Sequence, residues 1–192
     1  MIRASVLFVG SLAAILMSFV ALSVFPAVQL MEIEPTEGRI DYNFAESQGR
    51  QVYMREGCIY CHTQQVRPDG FGNDIGRGWG TRGSEPGDYV FDFPHLLGTM
   101  RTGPDLADIG QRQPSRDWHL SHFYNPRSVS EGSLMPSYPY LFEIKSEAEV
   151  LASDVVVNVP EAFAPDEGVI VAKEDVLNLY AYLMTLKQDP TN

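Results

Sequence analysis

The sequence predicts a mainly α-helical protein, with one N-terminal transmembrane helix followed by a helical domain carrying long loops. Three observations carry this. No residue from Ala4 to Met31 is charged. Two later stretches, around Val52 and around Leu179, place apolar residues at helical three-and-four spacing. Between them, Asp69 to Asp88 holds seven glycines in twenty residues and shows no period, which reads as loop. The 192 residues divide into an anchor (1–31), a polar linker (32–45) and one domain (46–192) with an acidic insertion at about 145–175. The formal net charge of −11 argues against a nucleic-acid partner. It suits simple solubility or a basic partner.

Ala4 to Phe25 alone gives 22 residues, about 33 Å of helix at roughly 1.5 Å per residue. That matches a hydrocarbon core of about 30 Å. A cleaved signal peptide is the other reading, but its apolar region is usually only ~7–15 residues long. Pro26 is expected to mark the end of the helix. Arg3 precedes the span, and Glu32, Glu34 and Glu37 follow it. That asymmetry puts the N-terminus in the cytoplasm and the domain outside, in contact with membrane lipid only through the anchor.

Asn43 and Glu46 are spaced as a capping box at the start of a helix. Val52, Tyr53 and Gly57 are expected on one face of that helix, with Tyr53 in the core. The helix leads into Cys58-Ile59-Tyr60-Cys61-His62. A Cys-x-x-Cys-His run is the attachment site of a c-type haem. The two thiols lie one turn apart and can each add to one haem vinyl group, and the next residue brings an imidazole to the iron. A structural zinc site would need two further Cys or His ligands at similar spacing, and the chain has no third cysteine. A thioredoxin-like redox pair would need βαβ flanks. The attachment machinery for haem c works on the outer side of a bacterial membrane, which agrees with the charge asymmetry.

Gly49-Arg50-Gln51-Val52-Tyr53 ahead of the motif, and Thr102-Gly103-Pro104-Asp105-Leu106 after it, resemble class I cytochromes c. The resemblance implies that the Pro104 carbonyl accepts the ring N–H of His62 and that Leu106 packs on the haem. It also implies that Arg112 lies near a haem propionate, although Gln111 stands where the family has a small residue. Arg101 is a second propionate candidate. A solvated surface charge is the plain alternative for both arginines.

Trp118-His119-x-x-His122 places two histidines on one helical face. Polar packing, a metal pair and a rival axial ligand are the readings open to them. For the sixth iron ligand, Met135 stands out among seven methionines. Met1, Met17 and Met31 belong to the anchor region. Met54 lies on the attachment helix, Met100 is next to the Thr-Gly-Pro run, and Met184 falls in a helical pattern. Met135 sits in Ser133-Leu134-Met135-Pro136-Ser137-Tyr138-Pro139, where prolines stiffen the loop that would present a weak thioether ligand. Its alternative role is a loop-to-core contact.

Taken in order, the attachment motif with Gln65-Val66-Arg67-Pro68, then Arg101 to Leu106, Trp118-His119-x-x-His122, Asn125-Pro126-Arg127 and Met135-Pro136-x-Tyr138-Pro139 resemble the membrane-anchored mono-haem cytochrome c subunit of cbb3-type haem–copper oxidases. The resemblance implies one covalent haem c on Cys58 and Cys61, with His62 and Met135 on iron and no catalytic residue in this chain. Its implied partners are the catalytic haem–copper subunit and other c-type cytochrome subunits. The haem subunit of a nitric oxide reductase and a haem-based gas sensor are the alternatives.

Ser146 to Asp175 carries eight acids against one base, Lys173. This is either a solvated face or a docking surface for a basic diffusible cytochrome c. Val155–Val157 and Val169–Val171 are expected to pair as a hairpin. Val176, Leu179, Tyr180 and Leu183 form the stripe of a closing helix, with Pro190 after its end.

Overall fold

The computed structural model describes residues 3–189 and divides them into two compact units. One contains the chain up to Thr36 together with Glu85–Val90; the other contains Glu37–Ser84 and the chain from Phe91 onward. The linker expected at 32–45 is therefore split between them at Thr36.

In the first unit a single helix, α1, runs Ala4–Met31 with its side chains exposed along its length. An apolar helix that buries nothing is unfavourable in water and suits a bilayer, where its backbone bonds are satisfied internally. The expected break at Pro26 does not occur. The helix opens into a π-helical turn at Val20–Val24, where Phe25 N–H reaches back to the Val20 carbonyl. The wider turn accommodates a residue that has no N–H of its own, and the helix resumes over Phe25–Met31. Beyond it, Thr36 N–H donates to the Gly87 carbonyl at 3.1 Å and Thr36 Oγ1 to Asp88 at 2.9 Å. These bonds tie the Glu85–Val90 segment to the end of the anchor.

The second unit is built on two crossing helices, α2 (Phe44–Arg55) and α5 (Glu174–Thr185). The expected capping box starts α2: Glu46 N–H donates to Asn43 at 3.0 Å, and Asn43 N–H donates to Glu46 at 2.8 Å. The crossing is at Gly49. A Cβ there would lie 1.8 Å from the Asn178 carbonyl oxygen, so only glycine lets the helices approach this closely. Tyr53 packs edge-on against Tyr182 with centroids 5.5 Å apart, and Tyr42 does so from the other side at 5.8 Å. Two expectations are corrected here. Gly57 lies beyond the end of α2 in left-handed conformation (φ 72°), so Gly49 is the glycine that the helix packing uses. Tyr182, not Tyr180, completes the buried stripe with Val176, Leu179 and Leu183. It stands one turn after Leu179, whereas Tyr180 falls on the flank and donates to the Pro114 carbonyl at 2.8 Å. Pro190 lies outside the described residues.

Two shorter helices, α3 (Ile109–Arg112) and α4 (Arg116–Tyr124), pack on α5. The acidic segment folds as a three-stranded antiparallel sheet, ordered β1 (Phe142–Lys145), β3 (Val169–Ala172), β2 (Val156–Val157). The expected hairpin partners do pair, Val156 with Val171 and Val157 with Ile170. The sheet also takes in β1, with Phe142 opposite Ala172 and Lys145 opposite Val169. Ser121 on α4 donates to the Asn158 carbonyl at 2.9 Å, and Tyr124 meets Phe142 edge-on at 5.4 Å. The mainly α domain with long loops that the sequence predicts is the architecture observed.

Candidate haem site

The attachment motif is not on α2. That helix ends at Arg55, Gly57 reverses the chain, and Cys58–Tyr60 forms a short 3₁₀ turn of its own. Cys61 and His62 N–H groups close this turn onto the Cys58 carbonyl at 3.1 and 3.0 Å. Both thiols are free, Cys58 half-buried and Cys61 exposed. Burial, then the nearby Glu56 carboxylate, pushes the Cys58 thiol up to about 12.

The segment after the glycine-rich loop lies along this turn. Gly103 N–H donates to the Cys61 carbonyl at 2.9 Å and Leu106 N–H to the Thr63 carbonyl at 2.7 Å. Gly103 sits against the His62 ring so closely that a Cβ would stand 2.2 Å from Cε1. His62 Nδ1 lies 2.7 Å from the Pro104 carbonyl. A carbonyl can only accept, so Nδ1 carries the proton and Nε2 keeps its lone pair. Burial holds His62 below the ordinary histidine range, offset in part by the Pro104 bond. The imidazole is thus neutral, fixed in tautomer and oriented, with no described residue bonded to Nε2. Such a side chain fits an iron ligand.

Asp105, inside the same run, is fully buried at 0% exposure. It accepts from Thr63 Oγ1 at 2.5 Å, Gln65 N–H at 2.9 Å and Ala107 N–H at 2.8 Å. Arg101 supplies its counter-charge at 3.4 Å and also pairs with buried Asp74 at 2.6 Å. Its other donors go to Thr63 Oγ1 and the Gln65 carbonyl, at 2.9 and 2.7 Å. The guanidinium carbons of Arg101 and Arg77 lie 5.3 and 5.0 Å from the centroid of the Trp79 ring. The guanidinium of Arg101 is therefore committed to protein partners, although the sequence offers it for a propionate. Arg112 donates to the Asp105 carbonyl, and burial lowers its pKa despite Asp105 and Asp108. Leu106 belongs to the buried core.

Of the methionines in this unit, Met100 is 56% exposed, whereas Met54, Met135 and Met184 pack partly buried against the core. The Met135 loop is anchored on both sides. Met135 N–H donates to Ser133 Oγ at 3.3 Å, and Tyr138 N–H donates to the Phe123 carbonyl on α4 at 2.9 Å. Tyr140 O–H donates to Glu56 at 2.5 Å, which joins the loop to the residue just ahead of the attachment turn. Lys173 donates to the Tyr140 carbonyl at 2.9 Å.

The two α4 histidines part company. His119 is buried, its Nε2 2.8 Å from the Gln113 carbonyl and its ring 5.6 Å from Tyr180, which is a packing role. His122 stacks on Trp118 with centroids 4.6 Å apart and planes 12° apart. Its Nδ1 is buried and has no hydrogen-bond partner among the described residues. The described residues contain no group of three or more His, Cys, Asp and Glu side chains placed to hold a metal ion.

The sequence reading missed the Thr63–Asp105–Arg101–Asp74 network and the Tyr140–Glu56 bond. Asp105 and Arg101 lie within the quoted run, but Thr63 and Gln65 come from about 40 residues upstream and Asp74 from a loop without period. None of the curated proteins compared with the chain is similar enough to match. The family model of the cytochrome c oxidase mono-haem subunit, FixO, matches residues 2–188. The half-buried thiol beside an exposed one and the open Nε2 of a neutral, oriented His62 suit the single haem that this family implies. The chain belongs to the FixO family of mono-haem cytochrome c oxidase subunits, electron-transport proteins with a helix fit to anchor them in a membrane.

Proposed function

We propose that this chain passes single electrons to the oxygen-reducing haem–copper subunit of a cbb3-type oxidase, through a haem c bonded to Cys58 and Cys61. In this reading His62 and Met135 would hold the iron. The observation that carries it is His62 itself, fixed by Pro104 and Gly103 with one nitrogen unbonded, directly beside two free thiols. Haem supplies a one-electron iron couple, and a His/Met pair raises its potential relative to His ligation alone, as suits the oxidising end of respiration.

The rest of the chain binds, orients and delivers. Asp105 and Arg101 hold the Thr63–Gln65 segment and the Pro104 carbonyl in register, which keeps the His62 ring aimed. The Tyr140–Glu56 bond holds the Met135 loop to the attachment turn. Arg112, with guanidinium donors left over from its single bond, is the arginine suited to a propionate. α1 keeps the domain at the membrane, and Arg3 before it with Glu32, Glu34 and Glu37 after it supports an outward-facing domain. The acidic residues of 146–175 suit a basic donor cytochrome.

The test is denaturing electrophoresis followed by a haem stain. The wild-type chain is expected to keep its stain, and Cys58→Ala with Cys61→Ala to lose it. Haem that leaves the wild-type chain on denaturation contradicts the assignment.

A further inference from the structure

Two buried carboxylates share one guanidinium on the His62 side of the site. Asp105 is 0% exposed and Asp74 2%. Arg101 lies 3.4 Å from the first and 2.6 Å from the second. Of the other arginines nearby, Arg67 and Arg77 are exposed, where water screens their charge. Arg112 faces Asp108, which is also buried, as well as Asp105. The buried negative charge of this cluster thus exceeds the positive. Asp105 is also tied to His62 by two bonds. Thr63, next in the chain after His62, donates from Oγ1 to Asp105 at 2.5 Å. Pro104, next before Asp105, accepts from His62 Nδ1 at 2.7 Å. The Gln65 and Ala107 N–H groups also donate to the Asp105 carboxylate, and Arg101 Nε donates to the same Thr63 oxygen at 2.9 Å. This is the bonding of an ionised carboxylate.

Packing does not call for that charge. A neutral side-chain oxygen could close the turn to Ala107. A buried ion pair is often no better for stability than apolar packing of the same volume. The charge has a use once iron is held by His62. A negative charge fixed in an interior of low dielectric favours ferric iron, which carries one positive charge more than ferrous iron. We infer that the buried Asp105 carboxylate, with Asp74 behind it, lowers the reduction potential of the haem iron held by His62. The inference rests on the haem reading of the preceding subsection and adds to it what sets the potential. Thioether ligation raises the potential, and the buried carboxylates work against it. An electron carrier must give up its electron as readily as it takes one, and the two opposed effects keep the couple between its donor and its acceptor.

The experiment uses the full chain in detergent-solubilised membranes, as wild type, Asp105→Asn, Asp74→Asn, Thr63→Val and Asp117→Asn. Haem stain after denaturation, absorption spectrum and redox titration are read on each. Asp105→Asn is expected to keep covalent haem and to titrate at a higher potential than wild type. Asp74→Asn, which also leaves Arg101 to Asp105 alone, should shift the potential the same way by less. Thr63→Val removes a bond that holds the His62 segment but no charge, so it should not raise the potential. Asp117, with its side chain 84% exposed, is the control, and Asp117→Asn should leave the potential where it is. Covalent haem with an unchanged or lower potential in Asp105→Asn overturns the inference and leaves the haem reading standing. A rise in Thr63→Val as large as that in Asp105→Asn overturns it in favour of a purely positional role. If Asp105→Asn does not accumulate, Asp74→Asn decides, and a potential not raised there overturns the inference. A wild-type chain without covalent haem overturns both readings.

Discussion

At the scale of single residues, His62 and Met135, the two proposed iron ligands, are held by different means. His62 is fixed by short backbone contacts, a 2.7 Å bond to Pro104 and close packing on Gly103. In the proposed ligation Met135 depends on its loop, because an iron–thioether bond is weak and the chain must hold the sulfur in place. Met135→Leu is therefore expected to lose the weak long-wavelength charge-transfer band of the ferric protein and to lower the potential, with covalent attachment intact. Exposed Met100 serves as the control, and Met100→Leu should change neither. A result in which Met100→Leu loses the band and Met135→Leu keeps it would reverse the ligand assignment. Asp74 is the residue where pH should tell. Burial by itself would raise its pKa, but the Arg101 hydrogen bond and charge, together with the Arg67 N–H, outweigh that and hold it below the usual carboxylate value. A depressed folded pKa contributes stability that is fully present above the unfolded value of about 3.9 and is lost as pH falls through the folded one. Thermal melts of wild type and Asp74→Asn should thus differ most near neutrality and converge below about pH 4. A gap that stays constant with pH would show that the pair does not titrate as described.

At the scale of elements, the α2–α5 crossing and the α2 cap carry the most specific expectations. With a Cβ at Gly49 only 1.8 Å from the Asn178 oxygen, Gly49→Ala must push two backbones apart. Overpacking of this kind typically costs ~1–3 kcal/mol, and a backbone neighbour places it at the upper end. Asn43→Ala removes one half of the capping box and is expected to cost about 1 kcal/mol. Denaturant melts of the haem-loaded chain would check both, and a Gly49→Ala midpoint equal to that of wild type would contradict the crossing. The cap, the apolar span and the β2–β3 pairing were legible because each follows from local spacing. Pro26 misled because a π-turn of five residues, Val20–Val24, lies upstream of it, and no residue pattern announces that turn. Tyr180 and Tyr182 both fit a helical stripe, and only the position of Tyr53 and Tyr42 across the crossing selects Tyr182. Strand β1 went unread because four residues alternate too briefly to stand out from the proline-rich loop before them.

At the scale of the whole molecule, the short runs of the candidate site were legible and the bonds that support them were not. Cys58, Cys61, His62 and Pro104 stand in short runs whose spacing reflects local geometry. Thr63 is joined to Asp105 across 42 residues of chain and Asp74 to Arg101 across 27, and nothing in their spacing says so. The same holds for Glu56 and Tyr140, 84 residues apart, which link the Met135 loop to the attachment turn. The central claim is that the haem of this chain is the path by which electrons reach the oxygen-reducing subunit. Its most direct measurement is rapid mixing of the fully reduced, detergent-solubilised oxidase with dioxygen, following the absorption of the covalent haem. The account predicts that this haem is oxidised within the catalytic turnover, and that the Cys58→Ala, Cys61→Ala complex, assembled but without it, no longer consumes oxygen with a reduced donor cytochrome. Oxygen consumption at the wild-type rate by that complex would contradict it.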